Sequence, residues 1–175
     1  MSASAGGFVS RIIRAARLDS DLYEEIEADR SAMWQSVAVI LMAGAATGFA
    51  AILSGDVLGF LNAVFLSVVA WLLCGLAAWI VGTRFLAEPG TNANFTEVLR
   101  VTGFSSAPGL LRVLGMTRRL GDLISLATGI WMLAAMVIAI RQTLDYRSTW
   151  RALVVAMIAW VFFVSISLLP LALNP

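Results

Sequence analysis

Two arginines, Arg100 and Arg112, flank a Pro108-Gly109 pair inside Leu99–Met116, LRVTGFSSAPGLLRVLGM, a segment of 18 residues that reaches membrane length. A guanidinium at the bilayer centre costs about 2.5–3.5 kcal/mol by insertion scales, so both side chains must snorkel to an interface or face protein. The proline removes an amide donor and clashes with the preceding turn, and neighbouring helices must satisfy what it frees. A break, a kink and a re-entrant hairpin all fit. Discontinuous helices line ion and substrate sites in transporters, so one chemistry open to this segment is an anion path. The other reading is architectural, with each arginine marking one end of a short, kinked span.

The remaining inventory excludes most other chemistry. The chain has no histidine, which removes the His ligand of haem, chlorophyll-type pigments, copper and zinc, and the base of serine and cysteine triads. All 12 basic residues are arginine, so lysine Schiff-base chemistry is absent. The one cysteine, Cys74, sits in an apolar run and reads as a buried thiol. Asp56, Asp122 and Asp145 fall at span ends or in loops rather than as a pair on a common helix face, and Gly103–Gly109 lacks the Gly-Lys-Ser ending of a phosphate loop. The chain is therefore expected to be no enzyme and to need neither cofactor nor metal. A net charge of +1, with the arginines in short clusters, argues against nucleic acid as a partner.

The elements that must position these residues read as membrane helices. With 60% hydrophobic residues, 13% charged residues and a mean hydropathy of +0.88, the composition lies outside the soluble range. Ser36–Leu53, Val57–Val81, Leu120–Ile140 and Ala152–Leu173 each hold 18 to 25 residues, and about 20 residues cross a hydrocarbon core of ~30 Å. With the interrupted segment as the third of them, the expected fold is all-α: a polytopic membrane bundle of five transmembrane helices behind a short cytoplasmic N-terminal helix. Residues 1–34 are the amphipathic and acidic N-terminal segment, and residues 35–175 the transmembrane domain. Gly44 and Gly48 form a GxxxG in the first span, a spacing that lets helices approach closely in lipid; packing within the chain is favoured over a homodimer. Ser54-Gly-Asp56 predicts a tight hairpin and Glu88-Pro89-Gly90 a turn, and Asn94 with Glu97 forms a capping box that opens a helix at Phe95.

Ahead of the first span, Arg11, Arg14 and Arg17 recur at threefold spacing against Phe8, Val9, Ile12, Ile13 and Ala16. This is either a short amphipathic helix with its arginines toward an anionic leaflet or a frayed tail. Six carboxylates follow in Asp19–Asp29. Asp21 and Glu24 fit an acidic variant of the capping box, and a helix from about Asp21 toward the bilayer would carry Leu22, Ile26 and Met33 along one side. That side is expected to dock a partner through Asp21, Leu22, Tyr23, Glu24 and Glu25, or else the carboxylates form a solvated face.

Arginine counts set the orientation. Four arginines precede the first span and none lies in the Ser54–Asp56 turn, so the positive-inside rule puts the N-terminus in the cytoplasm of a cell inner membrane. Four and five spans both divide the arginines nine against three, and charge does not choose between them. Five spans bring Trp34, Trp79 and Trp150 to one interface as an aromatic belt, and place the C-terminus on the opposite face.

The interrupted segment LRVTGFSSAPGLLRVLGM, followed by LGDLISLATGIWMLAAMVIAIRQTLDYRST and RAL, and preceded by LDSDLYEEIEAD, resembles bacterial members of the Yip1 family over roughly residues 18–170. The resemblance implies a five-span helical domain with a cytoplasmic N-terminus. Eukaryotic members carry an Asp-Leu-Tyr-Gly-Pro motif and are associated with Rab GTPases, vesicle traffic and membrane shaping. Here Asp21-Leu22-Tyr23 match, but Glu24-Glu25 stand where Gly-Pro would be, which puts a GTPase-partner role in doubt. The expected function is a non-catalytic membrane scaffold or adaptor, or an accessory subunit of a larger membrane complex. Its expected partners are membrane lipids and other membrane proteins or a second copy. The alternative is a small transporter or channel component that uses the interrupted helix 99–116.

Overall fold

The computed structural model describes residues 7–115 and 118–173, with side chains throughout except at 118, 119 and 167–173. Among these described residues seven α-helices follow one another: α1 Phe8–Ala16, α2 Ser20–Ala28, α3 Ala32–Leu53, α4 Val57–Ile80, α5 Phe95–Phe104, α6 Arg118–Thr143 and α7 Thr149–Leu173. A π-helical turn, Val81–Phe85, prolongs α4, and a 3₁₀ run, Ala107–Leu114, follows α5. Among the described residues, four helices are long and apolar enough to cross a membrane: Ala32–Leu53, Val57–Phe85, Leu120–Thr143 and Thr149–Ile166. Only 22–39% of their most apolar stretches is buried within the protein. So much outward apolar surface requires a hydrocarbon solvent, and the chain is a polytopic helical membrane bundle.

Local signals explain where these helices begin and end. Gly55 at φ +83° turns the chain after α3, and the Asp56 carboxylate accepts from Gly59 N (2.8 Å) to cap α4. The Asn94 side chain accepts from Glu97 N (3.0 Å) while the Glu97 carboxylate accepts from Asn94 N (2.9 Å), completing the expected capping box of α5. In α2 the cap differs from the Asp21–Glu24 expectation. Leu18 in a left-handed conformation (φ 63°) reverses the chain, so Asp19 becomes the cap and accepts from Asp21 N (3.1 Å). Nor does α2 run on into the first long helix: it stops at Ala28, and the Asp29 carboxylate accepts from both Ser31 N (2.9 Å) and Ser31 Oγ (2.6 Å) in the turn that opens α3.

The interrupted segment divides between α5 and the 3₁₀ run, and its last residue, Met116, lies outside the described residues. α5 is the centre of the bundle. Every residue from Val98 to Phe104 is buried, as expected of a helix enclosed on all sides. Ser105 and Ser106 form the break, and Pro108 sits in the first turn of the 3₁₀ run, where its missing N–H leaves no gap. Neighbouring helices reach α5 carbonyls that have a lone pair to spare. Ser36 Oγ of α3 donates to Arg100 O (2.8 Å), and Trp71 Nε1 of α4 donates to Leu99 O (3.0 Å).

Register along α3 shows how the segment lies. Gly103 packs on Ser36, Gly109 on Ala43, and Arg112 reaches Thr47, so α5 and the 3₁₀ run advance together alongside α3. α6 returns, with Thr128 beside Arg112 and Met132 beside Gly109. α7 then starts beside the end of α4, where Tyr146 Oη donates to Gly82 O (2.7 Å). One end of the bundle, here the head, thus holds α2, the starts of α3, α5 and α7 and the ends of α4 and α6; α7 runs away from it. Trp34 and Trp150, 80% and 71% exposed, both stand at the head.

Small residues set the closest approaches. A Cβ at Gly44 would lie 3.0 Å from Ser67 Cβ and Val64 Cα, and one at Gly48 would lie 3.1 Å from Phe60 Cα, so the GxxxG face is occupied by α4. Tightest against an unyielding neighbour is Gly103, whose added Cβ would meet Ser36 Cβ at 2.6 Å. Gly103→Ala should therefore destabilise the protein by about 1–3 kcal/mol, the usual range for overpacking. Gly109→Ala, facing the pliable Met132 thioether at 3.2 Å, should cost well under half as much. Thermal unfolding of both variants in detergent checks the order.

Candidate functional site

Charge lies at both ends of the central segment, and the two ends are built differently. At the head, α1 and α2 fold into a hairpin held by ion pairs. Arg11, only 3% exposed, pairs with Glu25 and with Asp29, both at 2.8 Å. Arg14 pairs with Asp19 (2.7 Å) and with Glu25 (2.6 Å). Arg11 Nη1 also donates to Gln35 Oε1 on α3 (3.0 Å), tying the hairpin to the bundle. Neither reading of this segment, arginines toward a leaflet or a frayed tail, describes it: α1 is a helix with Arg11 and Arg14 engaged by the protein, while Val9 and Ile13 are exposed. The reversal at Leu18 brings Asp19, Glu25 and Asp29 against α1, and these carboxylates take up both guanidiniums.

Arg100 fastens this hairpin to the central helix. It is 5% exposed, donates from Nε to Ile26 O (3.2 Å) and also bonds Glu27 O. These are carbonyls of the last turn of α2, which lack helical partners and form the negative end of its dipole, the place where a cation is favoured. The apolar residues behind it complete the joint, since Leu22, Tyr23 and Ile26 pack with Val101, Phe104 and Ala139. Around Arg100 opens a polar cleft of about 470 Å³, lined by Glu24, Glu27, Arg30, Glu97, Gln142 and Asp145 among others.

A family model described as the Yip1 domain matches residues 19–169. The chain belongs to the Yip1 family. No curated protein and no solved structure matched it. The match begins at Asp19 and so takes in the whole of α2, all four candidate spans and the central helix. The Yip1 family is not known for catalysis.

In this Yip1 domain the five residues expected to meet a partner divide. Leu22 and Tyr23 are fully buried and Glu25 is engaged by Arg11 and Arg14. Asp21 and Glu24 are exposed, and Glu24 accepts from Gln142 Nε2 (3.0 Å). Leu22 and Tyr23 therefore hold α2 to the bundle, while the carboxylates at 21 and 24 stand on the surface. Gly44 and Gly48 face α4, and Pro108 and Gly109 are buried beside α3 and α6.

The opposite end holds Arg112. It donates from Nε to Thr128 Oγ1 (3.2 Å) and from Nη1 to Thr47 Oγ1 (3.4 Å). Among the described residues no carboxylate pairs with it. It lines a cavity of about 360 Å³ with Thr47, Asp122 and Ser125. Arg100 and Arg112, alike in the sequence, thus have unlike roles.

Sequence reasoning passed over Glu27 and read Arg11 and Arg14 in the wrong direction. The signal for the second was present, because three arginines followed by six carboxylates across Leu18 are complementary blocks. Glu27 carried no such signal, since what matters is its burial. That burial, with Glu97 and Asp145 close by, pushes its carboxyl up to about 7. Hydrogen bonds from Arg14 hold Asp19 below the usual range, and those from Ser31 and Arg11 do the same for Asp29. Burial would raise Glu25, but the hydrogen bonds from Arg14 and Arg11 outweigh it and keep it low.

These shifts act in opposite directions on stability. Glu27 binds a proton more readily when folded, so its contribution is lost as pH rises from 4.5 through about 7. The three lowered carboxylates contribute above their unfolded values, near 3.8 for the aspartates and 4.5 for Glu25, and lose that contribution as pH falls through their folded ones. Glu27→Gln should therefore raise stability above pH ~7 by about 1 kcal/mol after solvent screening, with the gain shrinking toward pH ~4.5. Melting curves of both proteins between those limits test the sign.

Proposed function

We propose that this Yip1 protein is a non-catalytic scaffold or adaptor of the membrane, working as an accessory subunit of a larger complex. The observation that carries the reading is the head. The ion pairs of the buried Arg11 and the Arg100 anchor hold α1 and α2 on the bundle, yet the cleft beside them stays open and acidic, with Glu24, Glu27, Glu97 and Asp145 against Arg30 and Arg100. A fixed polar surface with a surplus of carboxylates suits a basic segment of another membrane protein. Outward apolar surface such as Leu58, Leu61 and Phe65 leaves room for lipid and for neighbouring helices.

Glu24→Arg changes the cleft without touching the hairpin pairs. The tagged full-length protein, isolated in mild detergent, should bring down a membrane partner that this variant loses. Recovery of a lone monomer from the unaltered protein removes the reading.

The same proposal places the head in the cytoplasm of a bacterial inner membrane, with α5 and the 3₁₀ run as a third crossing. The antiparallel order of α3, α4, the central segment, α6 and α7 supports it, as does the position of Trp34 and Trp150 at one end. A C-terminal reporter fusion should then be active only outside the cytoplasm; cytoplasmic activity would sink the five-crossing arrangement.

A second reading, an anion path along the interrupted segment, draws on Arg112 alone, because Arg100 is engaged with α2. Absence of anion flux in proteoliposomes removes it.

A further inference from the structure

Among the described residues, the cavity at the end opposite the head is lined by one cation and one anion that do not pair with each other. Arg112 and Asp122 both line it, yet they form no ion pair, and Thr47 and Ser125 bring hydroxyls between the same walls. Arg112 uses two of its donors on threonine oxygens, and a guanidinium has five. The unused donors and the Asp122 carboxylate therefore remain for a guest. A simple anion would meet Asp122 as a repulsive neighbour, and a simple cation would meet Arg112.

Two apolar grooves adjoin this polar chamber. One, of about 530 Å³, shares Thr47, Arg112, Asp122 and Ser125 with it and continues along Leu126 and Ile130 of α6. The other, of about 490 Å³, shares Ala46, Phe49 and Val113 with it and continues along Met42 and Phe60. A polar chamber with charges of both signs, opening into two apolar grooves in a membrane protein, has the shape of a two-chain lipid.

We infer that this chamber binds a phospholipid with a zwitterionic, primary-ammonium headgroup, phosphatidylethanolamine in chemical terms. Arg112 takes the phosphate, with Thr47 and Ser125 at its sides. Asp122 takes the ammonium through charge-assisted hydrogen bonds, and the two acyl chains follow the two grooves. A quaternary ammonium has no N–H to give Asp122. Phosphatidylcholine is therefore disfavoured, and so is phosphatidylglycerol, which brings the phosphate without the ammonium. The inference does not depend on the scaffold reading, since its evidence lies at the other end of the bundle.

Native mass spectrometry and thermal shift of the full-length protein in detergent supply the test, with the three lipids and inorganic phosphate added separately. Phosphatidylethanolamine should be retained and raise the melting temperature most, and Arg112→Gln should weaken its retention about tenfold, as losing a charged hydrogen bond does. Because Asp122 is exposed, Asp122→Asn should fold normally and should shift the preference from phosphatidylethanolamine toward phosphatidylglycerol. Equal retention of the three lipids, stabilisation by inorganic phosphate alone, or an unchanged preference in the folded Asp122→Asn protein would each overturn the assignment.

Discussion

The rest of the structure depends on a single burial constraint: a helix enclosed on every side that carries a guanidinium. From Val98 to Phe104 every residue of α5 is buried, Arg100 among them at 5% exposure, although a polar cleft opens beside it. A buried cation must find acceptors within the protein. The last turn of α2 supplies them as backbone carbonyls with no helical partner of their own. One contact thereby satisfies both the orphan end of a short helix and the charge of a buried one. It also explains why α2, only nine residues long and marginal in isolation, is ordered against the bundle, and why the Leu22–Tyr23–Ile26 stripe points inward.

From that joint the head assembles outward. α1 is held to α2 by the pairs of Arg11 and Arg14, and to the bundle by Gln35 and by Trp131, whose indole donates to Ala16 O (2.8 Å). On the other side of the head, the loop between α4 and α5 is stapled to the α6–α7 turn. Thr91 Oγ1 donates to Leu144 O (3.0 Å), and Glu88 meets Arg151 at 3.3 Å. Asp145 takes a left-handed conformation (φ 52°) there, which swings Tyr146 onto Gly82. The head is therefore rigid backbone work over a charged cleft. At the far end Arg112 has no carboxylate partner among the described residues and lines an open cavity, so the two ends are chemically unlike.

Much of this was legible in the residues because it is local or compositional. Membrane length, the Gly55 turn, the Asn94–Glu97 capping box and the break near Pro108 each follow from chemistry within a few positions. The four long helices appear nearly where expected, and the Yip1 resemblance extends over almost the same residues as the family match. What was misread involved partners distant in sequence. Arg11 and Glu25 are fourteen residues apart, and Arg100 lies more than seventy from its carbonyls. No periodicity encodes such pairs, so the α1 arginines looked free for lipid and Leu22–Tyr23 looked free for a partner.

The sequence by itself determined that this is a helical membrane protein, where its long helices lie, and that its segment from Leu99 is interrupted, because apolar length, caps and a proline act on the chain locally. Only the tertiary structure decided what the two arginines of that segment do. Their neighbours are chosen by how α2, α3 and α6 pack around the central helix, and that packing gives Arg100 a helix end to cap and leaves Arg112 facing an open chamber.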